Sequence, residues 1–210
     1  MSENYHALIR HYESCLEKFG DSHRGVDWPS EADAATRYRV MLDLVKPAGV
    51  PGTLLDFGCG ASHLYQYMQE RQIAGLTYSG LDASQAFCDL SRSKYPKNEY
   101  LCLDVLTAQE QLGQFDYIVM NGVFTEKRQL SFDDMFAFLK RMLKVIFSKA
   151  RRGIAFNVMS KQVDWERDDL FHLPIADLTD FVVRELSRHY VVRNDYGLYE
   201  YTTYIYREPQ

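Results

Sequence analysis

The chain has 210 residues, of which 46% are hydrophobic and 25% charged, enough to bury one core and unlike the composition of a disordered chain. A formal net charge of -5 leaves no basic field to capture nucleic acid through its phosphates. The apolar stretch from Phe136 to Phe147 is broken by Lys140, Arg141 and Lys144, so nothing reads as a membrane span, and the opening Met-Ser-Glu-Asn lacks a secretory signature. Cys15, Cys59, Cys88 and Cys102 never form a C-x-x-C pair, and the six histidines are dispersed, so the reading is a reduced, cytoplasmic protein with no structural metal.

Leu8, Ile9, Tyr12, Cys15, Leu16 and Phe19 recur at helical spacing, with Gly20 where a C-cap belongs. A polar stretch holding Trp28 follows. Ser30, with Asp33 three residues on, predicts the N-cap of a second helix running to about Val45, and Pro47 to Gly52 breaks the chain. From residue 53 strands and helices alternate. Strands are expected over 53–57, 77–81, 100–103, 115–120, 153–158, 190–193 and 198–206, and helices over 62–72, 84–94, 131–147 and 177–189.

Such alternation implies a parallel sheet covered on both faces. The last two strands are separated only by Asn194, Asp195, Tyr196 and Gly197, too few residues for a crossover helix, so they must form a hairpin. The expected fold is an α/β three-layer sandwich: a mostly parallel seven-stranded sheet that ends in an antiparallel hairpin, with an N-terminal helical cover. Residues 1–48 would form the cover and 49–210 the core.

The most informative segment is Asp56-Phe57-Gly58-Cys59-Gly60, where an apolar strand runs into a Gly-x-Gly turn that opens a helix. Glycine there permits unusual backbone angles and lets a ligand approach bare main chain. Asp82 closes the second strand, where a carboxylate can accept both ribose hydroxyls of a nucleoside. Asp104-Val105 closes the third, where a carboxylate can accept from an adenine amino group while the next N–H donates to the ring. A nicotinamide or flavin dinucleotide site would want a third glycine where His63 stands, and its fold lacks the terminal hairpin.

These residues together resemble the class I S-adenosylmethionine-dependent methyltransferases, over roughly residues 50–206. The resemblance implies S-adenosylmethionine as cofactor. It places Gly58, Cys59 and Gly60 against the methionine part, Asp82 with Ala83 at the ribose and Asp104 with Val105 at the adenine. Asn121-Gly122-Val123-Phe124 would line the floor beside the reactive methyl, and Asp56 would organise the glycine loop. Methyltransferases of exocyclic base amines resemble one another in an Asn/Asp-Pro-Pro-Tyr/Phe segment at this place, which is absent here, and the acidic balance agrees. The expected acceptor is a small polar molecule rather than nucleic acid, and no partner beyond it is implied.

Trp28 and Tyr12 are candidates to stack near the cofactor or acceptor, and Arg37 to pair with the cofactor carboxylate. The segment from Asn157 to Pro174, dense in ionisable groups, reads as an acceptor-side lid. His172 within it is the candidate general base, with His63 a second histidine of interest. A base suits a hydroxyl acceptor, which favours oxygen over nitrogen methylation. Asp168-Asp169 reads as a solvated acidic pair rather than a metal site. A protein that binds S-adenosylmethionine without catalysis is the alternative of another class.

Overall fold

The computed structural model describes residues 5–46 and 50–210. Helix α1 spans His6–Phe19 and ends at Gly20, whose φ of 62° lets its N–H return to the Leu16 carbonyl. Helix α2 spans Glu31–Leu42, and the Ser30 side chain accepts from the Asp33 N–H as the sequence predicts. The chain break expected from Pro47, and the boundary expected at 48/49, fall on residues outside the described ones.

The sheet follows the order β3-β2-β1-β4-β5-β8-β7. Its parallel part comprises β1 (Gly52–Phe57), β2 (Leu76–Asp82), β3 (Glu99–Cys102), β4 (Phe115–Met120) and β5 (Ala150–Ser160). Strands β7 (Tyr190–Arg193) and β8 (Glu200–Tyr206) form the antiparallel hairpin, and β8 also lies antiparallel to β5. A two-residue strand absent from the sequence reading, β6 (His172–Leu173), runs parallel beside the far end of β5. It escapes notice in sequence because two residues carry no periodicity.

Helices α3 (His63–Glu70), α4 (Gln85–Lys94), α5 (Phe132–Lys149) and α6 (Ile175–Glu185) complete the layers. The N-terminal positions of α4 and α5 are set by Ser84 and Ser131, whose side chains accept from Phe87 N and Asp134 N. One face of the sheet packs Leu55, Ile118, Ile154 and Tyr201 against Leu139, Leu143 and Val182 of α5 and α6. The other packs Leu54, Tyr117, Val119 and Tyr204 against Ala34, Tyr38, Val40 and Met41 of α2 and Leu64 and Met68 of α3. Helix α2 is thus part of a covering layer.

The many tyrosines of the terminal strand have a local reason. The hydroxyls of Tyr204 and Tyr206 donate to the Val40 and Leu44 carbonyls, and Tyr117 on β4 donates to the Lys46 carbonyl. They bond carbonyls at and beyond the last turn of α2, where helical bonding runs out; Val40 O keeps only a 3.3 Å bond from the Asp43 N–H besides. Tyr201 points to the opposite face and donates to the Leu173 carbonyl, as alternation along a strand requires.

Candidate active site

The carboxyl ends of β1, β2, β3 and β4 converge on one cavity. After β1, Gly58 takes a φ of 72°, and a Cβ there would stand 2.8 Å from Val123 Cγ2, so both conformation and space demand glycine. The Gly58 and Cys59 N–H groups bond to the Leu81 carbonyl at 2.7 and 3.0 Å. The Gly60 N–H donates to Asp82 Oδ2 and the Ser84 N–H to Asp82 Oδ1, both at 2.9 Å. Each Asp82 oxygen therefore accepts one backbone bond and keeps lone-pair capacity for another donor.

Asp56 is buried beneath the turn and accepts from Tyr78 Oη at 2.8 Å; desolvation lifts its carboxyl to about 7. Burial likewise pushes the Cys59 thiol well up. At the end of β3, Asp104 Oδ1 accepts from the Leu106 N–H, while Oδ2 accepts from Tyr5 Oη at 2.7 Å and contacts His6 Nε2 at 3.1 Å. Helix α1 thus lies across the mouth of the cavity. Its Tyr12 reaches the Gly122 carbonyl at 3.2 Å.

Of the residues expected from the sequence, Trp28, Asp56, Gly58, Cys59, Gly60, Asp82, Ala83, Asp104, Val105, Asn121 and Gly122 all line this one cavity. Tyr12 and His63 line it too, and His63 is held by Asp21 at 2.7 Å. Asn121 Oδ1 is buried there without a donor. Gly122 has a φ of 81°, and a Cβ on it would stand 2.8 Å from the Trp28 ring. The Trp28 ring therefore packs closely against the floor loop.

Arg37 lies outside this cavity and lines a neighbouring one of about 520 Å³ that shares Trp28 as a wall. Its guanidinium stacks on Trp28 at 4.1 Å and pairs with Glu200 Oε2 at 2.8 Å. Glu200 Oε1 accepts from Asn157 Nδ2, and Asn157 Oδ1 accepts from the Gly122 N–H, each at 2.8 Å. A buried polar chain thus connects α2, β8, β5 and the floor loop. Arg37 Nη1 has no partner in it.

His172 also belongs to the second cavity, yet both its ring nitrogens are engaged. Nδ1 meets the Ser160 carbonyl at 2.6 Å, and Nε2 faces the Arg167 N–H at 3.2 Å. That pair of contacts fixes a neutral tautomer with Nδ1 as donor and Nε2 as acceptor, a structural histidine on β6. The lid itself is tied down. The Phe171 N–H donates to the Thr125 carbonyl, and Glu126 forms a β-bridge with Leu170. Asp169 carries Arg167 at 2.6 Å and Arg128 at 3.4 Å.

A residue not singled out from the sequence stands at the inner wall of the second cavity. Glu126 is only 8% exposed, and desolvation raises its carboxyl to about 7, with Asp27 and Asp169 adding to the rise and Arg128 opposing it. Only its place four residues past the Asn121-Gly122 floor could have drawn attention to it. Nearby, His11, Cys15 and Asp27 bring metal-ligand atoms within 4.8 Å of one another. Arg128 contacts both His11 and Asp27, so a side-chain cation already occupies that place.

Comparison with known proteins agrees with this geometry. A family model described as a methyltransferase domain matches residues 55–147, from within β1 to near the end of α5. A Mycobacterium tuberculosis protein that bears the name of a methyltransferase, Rv1506c, is 27% identical over 157 residues, covering 74% of this chain and 93% of its own. The magnesium protoporphyrin IX methyltransferase of Synechocystis PCC 6803, solved with S-adenosylmethionine bound, superimposes with a TM-score of 0.65 at 15% identity, covering 96% of each chain. The Burkholderia thailandensis 1,6-didemethyltoxoflavin-N1-methyltransferase, with its substrate and S-adenosylhomocysteine bound, gives 0.63 at 15% identity, covering 100% of this chain and 92% of that one. At these identities the two structures speak for the fold alone. Residues 55–147 thus match a methyltransferase domain, and the fold is the one found in S-adenosylmethionine-dependent methyltransferases.

Proposed function

We propose that the first cavity holds S-adenosylmethionine and that the second receives a small polar acceptor, so that the methyl passes beneath Trp28 and the Gly122 loop. One observation carries this reading: the glycine turn, Asp82, Asp104 and the donorless Asn121 Oδ1 line a single cavity that shares one wall with a second. When bound, the cofactor supplies a methyl on a positively charged sulfur, and displacement at that carbon needs alignment and exclusion of water above all.

The chain's own residues provide for this. The bare backbone at Gly58 and Gly60 admits the methionine part, and the remaining lone pairs of Asp82 accept the ribose hydroxyls. Asp104 and Val105 face the adenine. Asn121 Oδ1 accepts from the α-ammonium, and Arg37, outside this cavity, backs the Trp28 wall from the other side. The first cavity measures about 160 Å³ with α1 drawn over it, below the roughly 300 Å³ of the smaller ligand pockets. Entry of the cofactor therefore requires α1 to release Asp104 and Gly122.

Since His172 is committed to the fold, the ground for favouring an oxygen acceptor falls away. Calorimetric titration with S-adenosylmethionine and S-adenosylhomocysteine, with NADH as control, tests the cofactor reading. Both sulfur ligands should bind, and Asp82→Ala should weaken them more than about tenfold, the worth of hydrogen bonds to a charged acceptor. Binding of NADH alone would overturn it.

A further inference from the structure

Among the described residues, the buried charged side-chain atoms without a hydrogen-bond partner are Arg37 Nη1, Glu126 Oε2 and Arg128 Nε, and all three residues line the second cavity. The last two face each other at 2.8 Å, close enough for charge attraction but outside hydrogen-bond geometry. Glu126 Oε2 is thus a desolvated acceptor whose directional bond is unmade, a state that costs stability unless a ligand supplies the donor.

The charges around it say which donor. Asp27 and Asp169 lie on either side, and the guanidiniums of Arg128 and Arg167 answer them. Immediately around Glu126 three carboxylates, its own included, thus face two guanidiniums, while the cavity's other arginines, Arg24 and Arg37, are engaged with Phe19 and with Trp28 and Glu200. Arg167 is more than half exposed, so its contribution is further screened. The same cavity is walled by Trp28, Phe19 and Tyr199; Arg37 and Arg24 already stack on the first two at 4.1 Å, so these rings serve as apolar walls for the body of a ligand.

We infer that the second cavity takes its acceptor as an amine, with the nitrogen at Glu126 Oε2 and the apolar body between Trp28, Phe19 and Tyr199. This rests on the methyltransferase reading and extends it to the acceptor's chemical class. An ammonium has no lone pair for attack. Glu126 accepts the proton, the N–H bonding pair stays on nitrogen, and that pair then forms the bond to the methyl carbon while the carbon–sulfur pair returns to sulfur. Arg128, 2.8 Å from the same oxygen, positions Glu126.

Three matched probes decide the matter: 2-phenylethylamine, 2-phenylethanol and 3-phenylpropionate, each titrated calorimetrically into protein saturated with S-adenosylhomocysteine. The amine should bind at pH 8 about tenfold or more tighter than the other two, the scale of a charge-assisted bond. Its affinity should fall as pH drops below about 7, where Glu126 takes up a proton. The other titratable groups around Glu126 are Asp27 and Asp169 with their arginines, Tyr12 and Cys15 of α1, and His11 of α1, which contacts both Asp27 and Arg128. Glu126→Gln should erase the amine's advantage and its pH dependence, with S-adenosylhomocysteine affinity unchanged. Preference for the alcohol or the acid, or binding of none of the three at millimolar concentration, overturns the inference. Failure of S-adenosylhomocysteine to bind would instead strike the cofactor reading, and the same titration cell separates the two.

Discussion

The two carboxyls lifted to about 7, Asp56 and Glu126, make stability depend on pH in a definite direction. An unfolded carboxyl titrates near pH 4, so between about 4 and about 7 the folded chain holds protons that the unfolded chain has lost. Stability is therefore greatest at the low end of that window, sags as pH rises to about 7, and is level above. Asp56→Asn keeps an acceptor for Tyr78 Oη and removes the Asp56 share of this effect, leaving those of Glu126 and of Asp82, whose carboxyl burial also raises. Urea midpoints measured at pH 5 and pH 8 should lie closer together in the variant than in the wild type. At Gly122 the effect is steric. Its φ of 81° and the Trp28 ring 2.8 Å from any Cβ mean that Gly122→Ala should cost about 1–3 kcal/mol and shift the floor loop. Thermal unfolding and S-adenosylhomocysteine titration of the same sample check both parts.

At the scale of elements, the join between α2 and the terminal hairpin is a buried ion pair, with Arg37 and Glu200 side chains 9% and 1% exposed. Removing one partner leaves a desolvated charge, so Glu200→Ala should destabilise the fold by about 3–5 kcal/mol. Because Glu200 also holds Asn157, and Asn157 the Gly122 N–H, the same change should loosen the floor of the cofactor cavity. Glu200→Gln retains the acceptor for Asn157 and should retain more cofactor affinity than the alanine variant. Equal loss of affinity in both would show that the coupling runs through charge alone. Helix α1 is joined differently. It reaches the cavity through His6 and Tyr12, with Tyr5 just before it, polar contacts that a ligand can replace, and adds only Leu8 to the core of the sheet.

For the whole molecule this difference sets a pattern of motion. Helix α2 contributes Tyr38, Val40 and Met41 to the same core as β1 and β4, so it should unfold with the sheet in one transition by both circular dichroism and fluorescence. Helix α1 should open on its own. Hydrogen exchange of its amides should be faster than that of α2 in the free protein and should slow on addition of S-adenosylhomocysteine. Exchange in α1 that ignores the ligand would mean that the cofactor enters by another route. No helix among the described residues is long and apolar enough to cross a membrane.

The sequence by itself determined whatever is written in neighbouring residues. The caps at Ser30, Ser84 and Ser131, the alternation of strand and helix, the hairpin forced by a four-residue connection and the glycine turn followed by acids at two strand ends are all local patterns with local causes. They were enough to single out eleven residues that line one cavity and to point to the methyltransferase fold. What only the tertiary structure decided depends on partners far along the chain. His172 is a candidate base in sequence, but Ser160 and Arg167 occupy both its nitrogens once β6 lies against β5. Arg37 finds Glu200, 163 residues away, and Glu126 becomes remarkable only when burial strips its water. Hydrogen bonding and desolvation are properties of surroundings, and the surroundings of a side chain exist only after folding.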